Sequence, residues 1–332
     1  MSPTPLILDV DTGVDDALAL LYAAASPEVE LIGATTVMGN VTVEVATTNT
    51  LAVLELLRLG DLEVAQGASR PLVRDHEPFP VVHGERGLGH AELPVPSRAP
   101  SSRTAAQFLV ESARDRPGEV MLVATGPLTN VALALAEEPR LPDLLAGFAL
   151  MGGSYAQGGN ATPAAEANTW VDPDAAQAVF RGFAGRVETK LPRCVGLDVT
   201  QRVQLSREGL ASMVAPAPGS PIGTFLGDAV PFYIEFYERT HDFGGACMHD
   251  PLALALAIDP SMATWTSTRV EVEADGTWTR GMTVTDLDGI RHSPWPVGWE
   301  PEDNALVALD VDAPAFMDVF VQRLRSLVER QT

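Results

Sequence analysis

The chain has 332 residues, of which 46% are hydrophobic and 20% charged, a composition typical of a globular protein and not of a disordered or fibrous one. Its 22 basic and 44 acidic residues give a formal net charge of -22, which disfavours nucleic acids and anionic membranes as partners because both carry negative charge. The N-terminus has no signal-peptide pattern, and no segment is apolar for long enough to span a membrane. Two cysteines are too few for a disulfide framework, so we expect a cytoplasmic protein.

Strand-like and helix-like patterns alternate through most of the chain. Apolar strand patterns cover residues 5–11, 29–38, 63–66, 120–125 and 148–152. Helical patterns cover residues 15–25, 43–59, 104–114, 128–137 and 173–180. Buried strands that alternate with helices of this length are typical of parallel sheets covered on both faces. We therefore predict an α/β fold with an open, largely parallel sheet flanked by helices.

The last third of the chain is less regular. Residues 268–273 and 278–285 alternate in the manner of an antiparallel pair, with Asp275-Gly276 as the turn signal. No low-complexity linker and no internal repeat interrupts the sequence, so we predict a single large domain over residues 1–332. The other predicted elements here are a strand at 306–310 and helices at 221–239, 251–258 and 313–330.

Three stretches rich in proline and glycine are predicted to be long loops. They cover residues 71–100, 153–169 and 286–303. Long loops in compact domains are usually functional, which makes these stretches candidates to carry binding residues.

Four carboxylates lie within eight residues where the first strand meets the first helix. The segment reads Asp9-Val10-Asp11-Thr12-Gly13-Val14-Asp15-Asp16, and this junction belongs to the carboxyl edge of a parallel sheet, where ligands bind. Asp15 and Asp16 suit the first turn of a helix, but that explanation does not cover Asp9 and Asp11 at the end of a buried strand. Carboxylates this close repel one another unless a cation or protons intervene. Hard oxygen ligands without histidine or cysteine indicate calcium or magnesium.

Other polar motifs follow later predicted strands or open later helices. Two of them, 35–41 with Gly39-Asn40 and 123–130 with Thr125 and Asn130, end at the sheet edge that carries the aspartates. A third group lies in a glycine-rich loop and comprises Asn160, Glu166 and Asn168. The last, Met248-His249-Asp250-Pro251, opens a helix, and taken alone Asp250 could be only a helix N-cap followed by proline.

Together these motifs resemble the inosine-uridine-preferring nucleoside hydrolase family over nearly the full length of the chain. Five motifs of the family recur here in order: Asp-x-Asp-Pro-Gly-x-Asp-Asp, Gly-Asn-Val, Ala-Thr-Gly-Pro-Leu-Thr-Asn, Glu-x-Asn and His-Asp-Pro. In the first of them, Thr12 takes the place of the proline. Five ordered motifs are far more specific than any one of them. The resemblance implies an enzyme that cleaves the N-glycosidic bond of free ribonucleosides in nucleoside salvage, uses one tightly bound calcium ion and forms a homo-oligomer, as a dimer or tetramer.

The resemblance also implies a role for each matching residue. Calcium would be bound by Asp11, Asp16, Asp250 and the backbone carbonyl of Thr125, and Asp11 would act as the general base toward a calcium-bound water. His249 would serve the leaving group as the second catalytic residue, and Asp9 would hold the metal loop through backbone N–H groups. The substrate would be held by Asp15, Asn40, His83, Asn160, Glu166 and Asn168, of which His83 lies near the base.

The chemistry itself requires groups of these kinds. Breaking the bond between ribose and base develops positive charge on the sugar, which carboxylates stabilise, and negative charge on the base, which needs a proton donor. A histidine titrates near neutral pH and can supply that proton. Because no lysine or arginine occurs in the acidic motifs, phosphorylated substrates are disfavoured.

Several features leave alternatives open. Asp9-x-Asp11 also fits a magnesium-dependent phosphohydrolase of the haloacid dehalogenase type with Asp9 as nucleophile, although Gly13 stands where that motif has threonine or valine. A nucleoside- or ribose-binding protein without catalysis is the other alternative.

His83 and His249 favour the inosine-uridine or pyrimidine-leaning branch of the family over the purine-specific one. Ala167 stands where a bulky apolar residue is common in the family, and it leaves the 5′ side of the ribose pocket more open. We interpret His241-Asp242 as part of a loop. Tyr233 and Trp265 could stack on a base or belong to the core.

Overall fold

The computed structural model describes residues 2–75, 78–241, 243–294 and 298–330. Its strands are β1 (Thr4–Val10), β2 (Val29–Thr36), β3 (Glu63–Gln66), β4 (Met121–Ala124), β5 (Gly147–Met151), β6 (Arg193–Val195), β7 (Gln204–Leu205), β8 (Ala246–Cys247), β9 (Ala263–Thr268), β10 (Val270–Val272), β11 (Thr283–Thr285) and β12 (Ala305–Val311). Its α-helices are α1 (Val14–Ala25), α2 (Val43–Leu56), α3 (Pro80–His83), α4 (Ala105–Asp115), α5 (Thr129–Glu137), α6 (Leu141–Leu144), α7 (Ala167–Val171), α8 (Pro173–Phe183), α9 (Leu197–Thr200), α10 (Arg207–Val214), α11 (Pro221–Thr240), α12 (His249–Ile258) and α13 (Ala313–Glu329).

Eight strands form one sheet in the order β3-β2-β1-β4-β5-β6-β12-β9. All neighbouring pairs in this sheet are parallel except β12 and β9, which run antiparallel at one edge. The predicted α/β fold with an open, largely parallel sheet is therefore confirmed. Within the part of the chain that the structure describes, no helix is long and apolar enough to cross a membrane.

The side chains of β1 show how the sheet is covered on both faces. Leu6, Leu8 and Val10 pack into a core with α1, α2, α11, α12 and α13, whereas Ile7 packs into a second core with α4, α5 and α8. Successive side chains of a strand point to opposite faces, so a strand buried on both sides must be apolar almost throughout. Asp9 shares the face of Ile7 and therefore points toward α5.

Several elements of the structure were not predicted, among them the short helices α3, α6, α7 and α9 and the two-residue strands β7 and β8, and three others show why. The central strand β6 spans three residues and follows Pro192, so it is too short to show a periodic pattern. Helix α10 is short, and only Leu210 and Met213 of it are buried. The edge strand β9 reads ATWTST and is buried only at Thr268, which removes the apolar alternation that would mark a strand.

The predicted antiparallel pair near the end of the chain is confirmed in shorter form. Strands β10 and β11 pair with Val270 opposite Thr285 and Val272 opposite Thr283. Thr268 belongs to the preceding edge strand β9 instead. The pair lies outside the main sheet.

Candidate active site

The carboxyl ends of β1, β2, β4 and β5 meet at one edge of the sheet and carry most of the polar motifs. Asp11 follows β1, Asn40 lies in the turn after β2, Thr125 follows β4, and the Gly152-Gly153 turn follows β5. The backbone N–H of Thr125 donates to the carbonyl of Asp9 at 2.8 Å, which fixes the end of β4 against the end of β1. Parallel strands thus bring together residues that are far apart in the sequence.

Asp9 is fully buried below this edge and makes no contact with solvent. Its Oδ1 accepts hydrogen bonds from Thr35 Oγ1 at 2.6 Å and Asn130 Nδ2 at 2.7 Å, while its Oδ2 has no partner among the described residues. The expectation that Asp9 binds backbone N–H groups was wrong, because side-chain donors from β2 and α5 point at it instead. Burial raises the pKa of Asp9 to about 6.

Asp11 has one fixed oxygen and one free oxygen. Its Oδ2 accepts the backbone N–H of Asn40 at 2.7 Å, and its buried Oδ1 has no hydrogen-bond partner in the described chain. A Cβ atom at Gly39 would lie 2.0 Å from Asp11 Oδ2, so only glycine allows this close approach. Burial, followed by the nearby charge of Asp16, raises the pKa of Asp11 well above its usual range.

Asp15, Asp16 and Asp250 form a compact group of buried carboxylates. Asp15 and Asp16 occupy the first turn of α1, Asp250 occupies the first turn of α12, and one oxygen of each lies within 4.8 Å of the others. Burial, with the charges of neighbouring aspartates, raises the pKa of Asp15 to about 7 and that of Asp250 well above its usual range. Asp11 is not a member of this group of three.

Fixed donors hold Asp16 in place. It accepts hydrogen bonds from Thr125 Oγ1 at 2.7 Å, the Gly13 N–H at 2.8 Å and Asn40 Nδ2 at 3.3 Å. Thr12, which replaces the family's proline, is held by its hydroxyl at 2.6 Å from Thr50 Oγ1. The loop at residues 11–13 is therefore anchored to α2 by a hydrogen bond where a proline ring would stiffen it.

The donor set at this edge fits a hard divalent cation. Along the described chain, no arginine or lysine pairs with Asp9, Asp11, Asp15, Asp16 or Asp250, and the basic side chain nearest to them is His83, with Nδ1 3.8 Å from Asp15 Oδ1. Asp11 Oδ1 and Asp15 Oδ1 are buried without a hydrogen-bond donor. Buried carboxylates without positive partners are costly unless protons or a cation neutralise them. Carboxylate and carbonyl oxygens are the ligands that calcium and magnesium prefer.

A cavity of about 250 Å³ opens beside the carboxylates, and its inner end is polar. Asp15, Asn40, Thr125, Asn160, Glu166, Asn168 and Asp250 line this end. Glu166 caps α7 and accepts backbone N–H groups of Asn168 at 2.8 Å and Gly153 at 2.9 Å. Asn160 Oδ1 accepts the Ala167 N–H at 2.9 Å, and Asn168 Nδ2 donates to the carbonyl of Thr125 at 2.7 Å. The loop predicted at 153–169 thus does carry residues that line the cavity.

Two buried histidines line the other end of the cavity. His83 Nδ1 accepts the backbone N–H of Val14 at 3.1 Å, so the proton of the neutral ring resides on Nε2. His249 uses both nitrogens, with Nε2 2.6 Å from Tyr237 Oη and Nδ1 2.7 Å from Thr200 Oγ1. Burial lowers the pKa of each histidine to about 3, so both rings are neutral at neutral pH.

Two tyrosines of α11 connect the two ends of the cavity. Tyr233 donates its hydroxyl to Asp15 Oδ2 at 2.9 Å and stacks on His83 with ring centroids 5.1 Å apart. The hydroxyls of Tyr233 and Tyr237 are 3.5 Å apart, so a chain of polar contacts runs from Asp15 to His249. Tyr233 therefore belongs to the core and also lines the cavity. Trp265 is not among the residues that line the cavity, and its Nε1 donates to the Pro260 carbonyl.

The structure brings every predicted site residue except Asp11 and Asp16 to the cavity wall. Those two aspartates accept hydrogen bonds from residues of the wall, Asp11 from the Asn40 N–H and Asp16 from the Thr125 hydroxyl. Sequence reasoning missed Tyr237 and His241, which also line the cavity. The signal for Tyr237 was its four-residue spacing from Tyr233 on the helix predicted at 221–239, and His241, four residues further, lies beyond that helix. His241 lies in the turn directly after α11, as the interpretation of it as part of a loop expected, and it also lines the cavity. Asp242 lies outside the described residues.

Comparisons with known proteins agree with this arrangement. The sequence model of the family described as inosine-uridine preferring nucleoside hydrolase matches residues 6–318. The pyrimidine-specific ribonucleoside hydrolase RihA of Salmonella gallinarum is 40% identical over 322 residues, which cover 97% of this chain and 98% of that protein. A RihA from Citrobacter koseri is 39% identical over 321 residues, covering 96% and 97% of the two chains. The solved structure of a purine-preferring ribonucleoside hydrolase from Gardnerella vaginalis superposes with a TM-score of 0.89 and 36% identity, covering 98% of this chain and 99% of that one. The chain therefore belongs to the inosine-uridine preferring nucleoside hydrolase family and is a ribonucleoside hydrolase.

Proposed function

We propose that the enzyme hydrolyses free ribonucleosides to base and ribose with the help of one calcium ion. The observation that supports this most strongly is the group of buried carboxylates without positive partners at the inner end of a cavity whose other end is aromatic. A sugar rich in hydroxyl groups suits the first end, and a planar base suits the second. The substrate is a neutral nucleoside, since no cation of the described cavity wall could pair with a phosphate.

Calcium would be held by Asp11, Asp16, Asp250 and the carbonyl of Thr125. When bound, a divalent cation supplies the positive charge that offsets these carboxylates and that makes water and hydroxyl groups more acidic. Asp15, which shares the carboxylate group with Asp16 and Asp250, is oriented by Tyr233 toward the ribose hydroxyls. Asn40, Asn160, Glu166 and Asn168 bind the remaining hydroxyls of the sugar.

Asp11 acts as the general base that takes a proton from the attacking water. The Asn40 N–H holds Oδ2, which leaves Oδ1 free to accept the proton. A positioned general base contributes about 10² to 10⁴ in rate. Clustered carboxylates also stabilise the positive charge that develops on the sugar as the glycosidic bond breaks.

His83 and His249 serve the departing base. The Nε2–H of His83 is free to donate a hydrogen bond at this end of the cavity. Both nitrogens of His249 have partners, so His249 would act on the departing base only where its Nε2 exchanges the Tyr237 hydroxyl for the base. As neutral imidazoles the two histidines can donate hydrogen bonds that stabilise the negative charge on the departing base. Delivery of a proton would require the imidazolium form, because a neutral imidazole that gives up its proton becomes an imidazolate.

The test is release of base and ribose from a panel of ribonucleosides, with and without a calcium chelator. Activity should disappear with chelator and return with calcium, and Asp11→Ala should abolish turnover while the exposed Asp318→Ala leaves it unchanged. Near-normal turnover in Asp11→Ala would remove Asp11 from the role of base. Activity that survives complete chelation would refute the calcium requirement.

The phosphohydrolase alternative has less support from the geometry. Asp9, its nucleophile, is not among the residues that line the cavity, and its Oδ1 is occupied by Thr35 and Asn130. Release of phosphate from p-nitrophenyl phosphate, without release of base from any nucleoside, would favour that alternative. Binding of nucleosides without release of base would favour the binding-protein alternative. The cytoplasmic location, the role in nucleoside salvage and the homo-oligomer remain predictions from sequence.

A further inference from the structure

The base end of the cavity offers few polar atoms that are free to contact a ligand. The Tyr233 hydroxyl is used by Asp15, the Tyr237 hydroxyl is used by His249, and both nitrogens of His249 have partners. Phe79, Val81, Val82 and Phe236 are apolar. His83 Nε2 and His241 Nε2 are the ring nitrogens at this end for which the described residues supply no hydrogen-bond partner.

The hydrogen bonds of Thr240 determine which nitrogen of His241 carries the proton. Thr240 Oγ1 donates its single proton to the carbonyl of Phe236 at 2.7 Å, and it lies 2.7 Å from His241 Nδ1. Because that hydroxyl has no second proton, the Nδ1–H of His241 must be the donor in the contact between them. In the neutral ring Nε2 is then an acceptor.

His241 remains neutral because its surroundings are apolar. Its ring packs against Phe243 at 5.2 Å and Tyr237 at 5.3 Å between centroids. Partial burial lowers its pKa, so the ring keeps a free lone pair at neutral pH. The base end therefore offers one donor, on His83, and one acceptor, on His241.

The donor and the acceptor lie at different distances from the sugar end. Tyr233 and Tyr237 lie four residues apart on one face of α11, and His241 follows the last residue of that helix four residues after Tyr237, with its backbone N–H bonded to the Tyr237 carbonyl at 3.0 Å. Each four-residue interval advances about 6 Å along a helix axis. His83 stacks on Tyr233, beside Asp15, whereas His241 lies two intervals further along. A two-ring purine extends further from the glycosidic bond than a one-ring pyrimidine and is better able to approach His241.

We propose that His241 is a specificity-determining residue, whose Nε2 accepts a hydrogen bond from an N–H or amino group on the outer edge of a purine base. This inference rests on the proposed hydrolysis of nucleosides and adds a class of base to it. The motifs alone, through His83 and His249, favoured the inosine-uridine or pyrimidine-leaning branch over the purine-specific one, and His241 gives the cavity a contact that purines are long enough to use.

The experiment compares kcat/KM for adenosine, purine riboside and uridine in the wild type and in His241→Phe. Purine riboside has the same two rings as adenosine but lacks the 6-amino donor. Phenylalanine keeps the ring that packs against Tyr237 and Phe243 and removes the acceptor. The ratio of adenosine to purine riboside should fall about three- to tenfold in the variant, the range for one neutral hydrogen bond, and activity on uridine should change little.

Two further variants sharpen the result. His90→Phe makes the same chemical change at an exposed histidine that packs on Phe232 and does not line the cavity, so it should leave all ratios unchanged. His241→Gln keeps an acceptor oxygen and should retain part of the adenosine preference. If thermal melting shows that His241→Phe does not fold, His241→Leu supplies the same comparison.

The possible failures are distinguishable. An unchanged ratio of adenosine to purine riboside in His241→Phe, or an equal loss on all three substrates, would overturn the role of His241 and leave the hydrolase proposal intact. A wild type that releases base from none of these nucleosides would overturn the proposed hydrolysis, and the role of His241 with it.

Discussion

Replacing Asp9 with asparagine should remove one part of the dependence of stability on pH. Asp9 is fully buried, and burial raises its pKa from the ordinary 3.8 to about 6. A carboxyl whose pKa is raised by folding binds its proton more tightly in the folded state, so its stabilising effect is complete below about pH 4 and is lost as the pH rises through about 6. A shift of roughly two pKa units corresponds to about 3 kcal/mol.

The asparagine variant preserves the contacts that the structure shows. Its Oδ1 can still accept from Thr35 and Asn130, and its amide group replaces an Oδ2 that has no partner among the described residues. An unpaired buried amide costs about 1–3 kcal/mol, but that cost does not depend on pH. The difference between pH 5 and pH 8 therefore isolates the charge of Asp9 from the cost of the substitution.

The assay is urea denaturation of both proteins at pH 5 and pH 8 in the presence of chelator. Between these two pH values, the wild type should lose about 1.4 kcal/mol more of its free energy of unfolding than Asp9→Asn does, because a folded pKa of about 6 leaves only part of the roughly 3 kcal/mol to be lost above pH 5. The exposed Asp318→Asn should behave as the wild type. Equal losses in wild type and Asp9→Asn would refute the reasoning. The variant should also retain nucleoside hydrolysis with calcium present, whereas a phosphohydrolase with Asp9 as nucleophile would be inactive.

Two other changes test the geometry of the metal site. Asp16→Asn keeps the shape of a side chain held by Thr125, Gly13 and Asn40 but removes its charge, so calcium should bind at least about tenfold more weakly by calorimetry. In the wild type, calcium at 100 times its dissociation constant should add about 2.7 kcal/mol of stability, and the variant should lose most of that gain at the same concentration. Gly39→Ala places a Cβ atom 2.0 Å from Asp11 Oδ2 and, by displacing the base, should lower kcat about 100-fold. Gly227→Ala, whose Cβ meets nothing within 4 Å, is its matched control, and comparable activity in the two variants would contradict the role of Gly39.

The alternation of strands and helices was predictable because it is a local property. Apolar strands such as β1 and amphipathic helices such as α8 show their periods within ten residues. The place of the acidic cluster followed from the fold class, since the carboxyl ends of parallel strands share one edge. A three-residue strand such as β6 has no such local period, and its place in the sheet depends on its neighbours β5 and β12.

The partners of individual side chains could not be predicted in the same way. Asp9 meets Thr35 and Asn130, which lie 26 and 121 residues away in the sequence, and the choice between them and backbone donors depends on how α5 packs on the sheet. His241 resembled a loop residue because the local pattern after it lacks a proline and a helix. Its place in the cavity wall follows from the packing of α11 against the sheet edge, which a local pattern does not contain.

The arrangement of the carboxylates explains why the site should bind a cation tightly. Hydrogen bonds from Asn40 and Thr125 hold Asp11 and Asp16 in position, so the carboxylates cannot separate to relieve their repulsion. The metal-free protein must therefore bear that repulsion or take up protons, and burial together with the neighbouring charges raises the pKa values of Asp11, Asp15 and Asp250 in the direction that favours protonation. A cation at neutral pH would relieve the same repulsion without protonating Asp11, which must be ionised to serve as the base proposed above. Acid should then have two linked effects, since protons displace the cation and neutralise the base, and activity should fall with calcium affinity as the pH decreases.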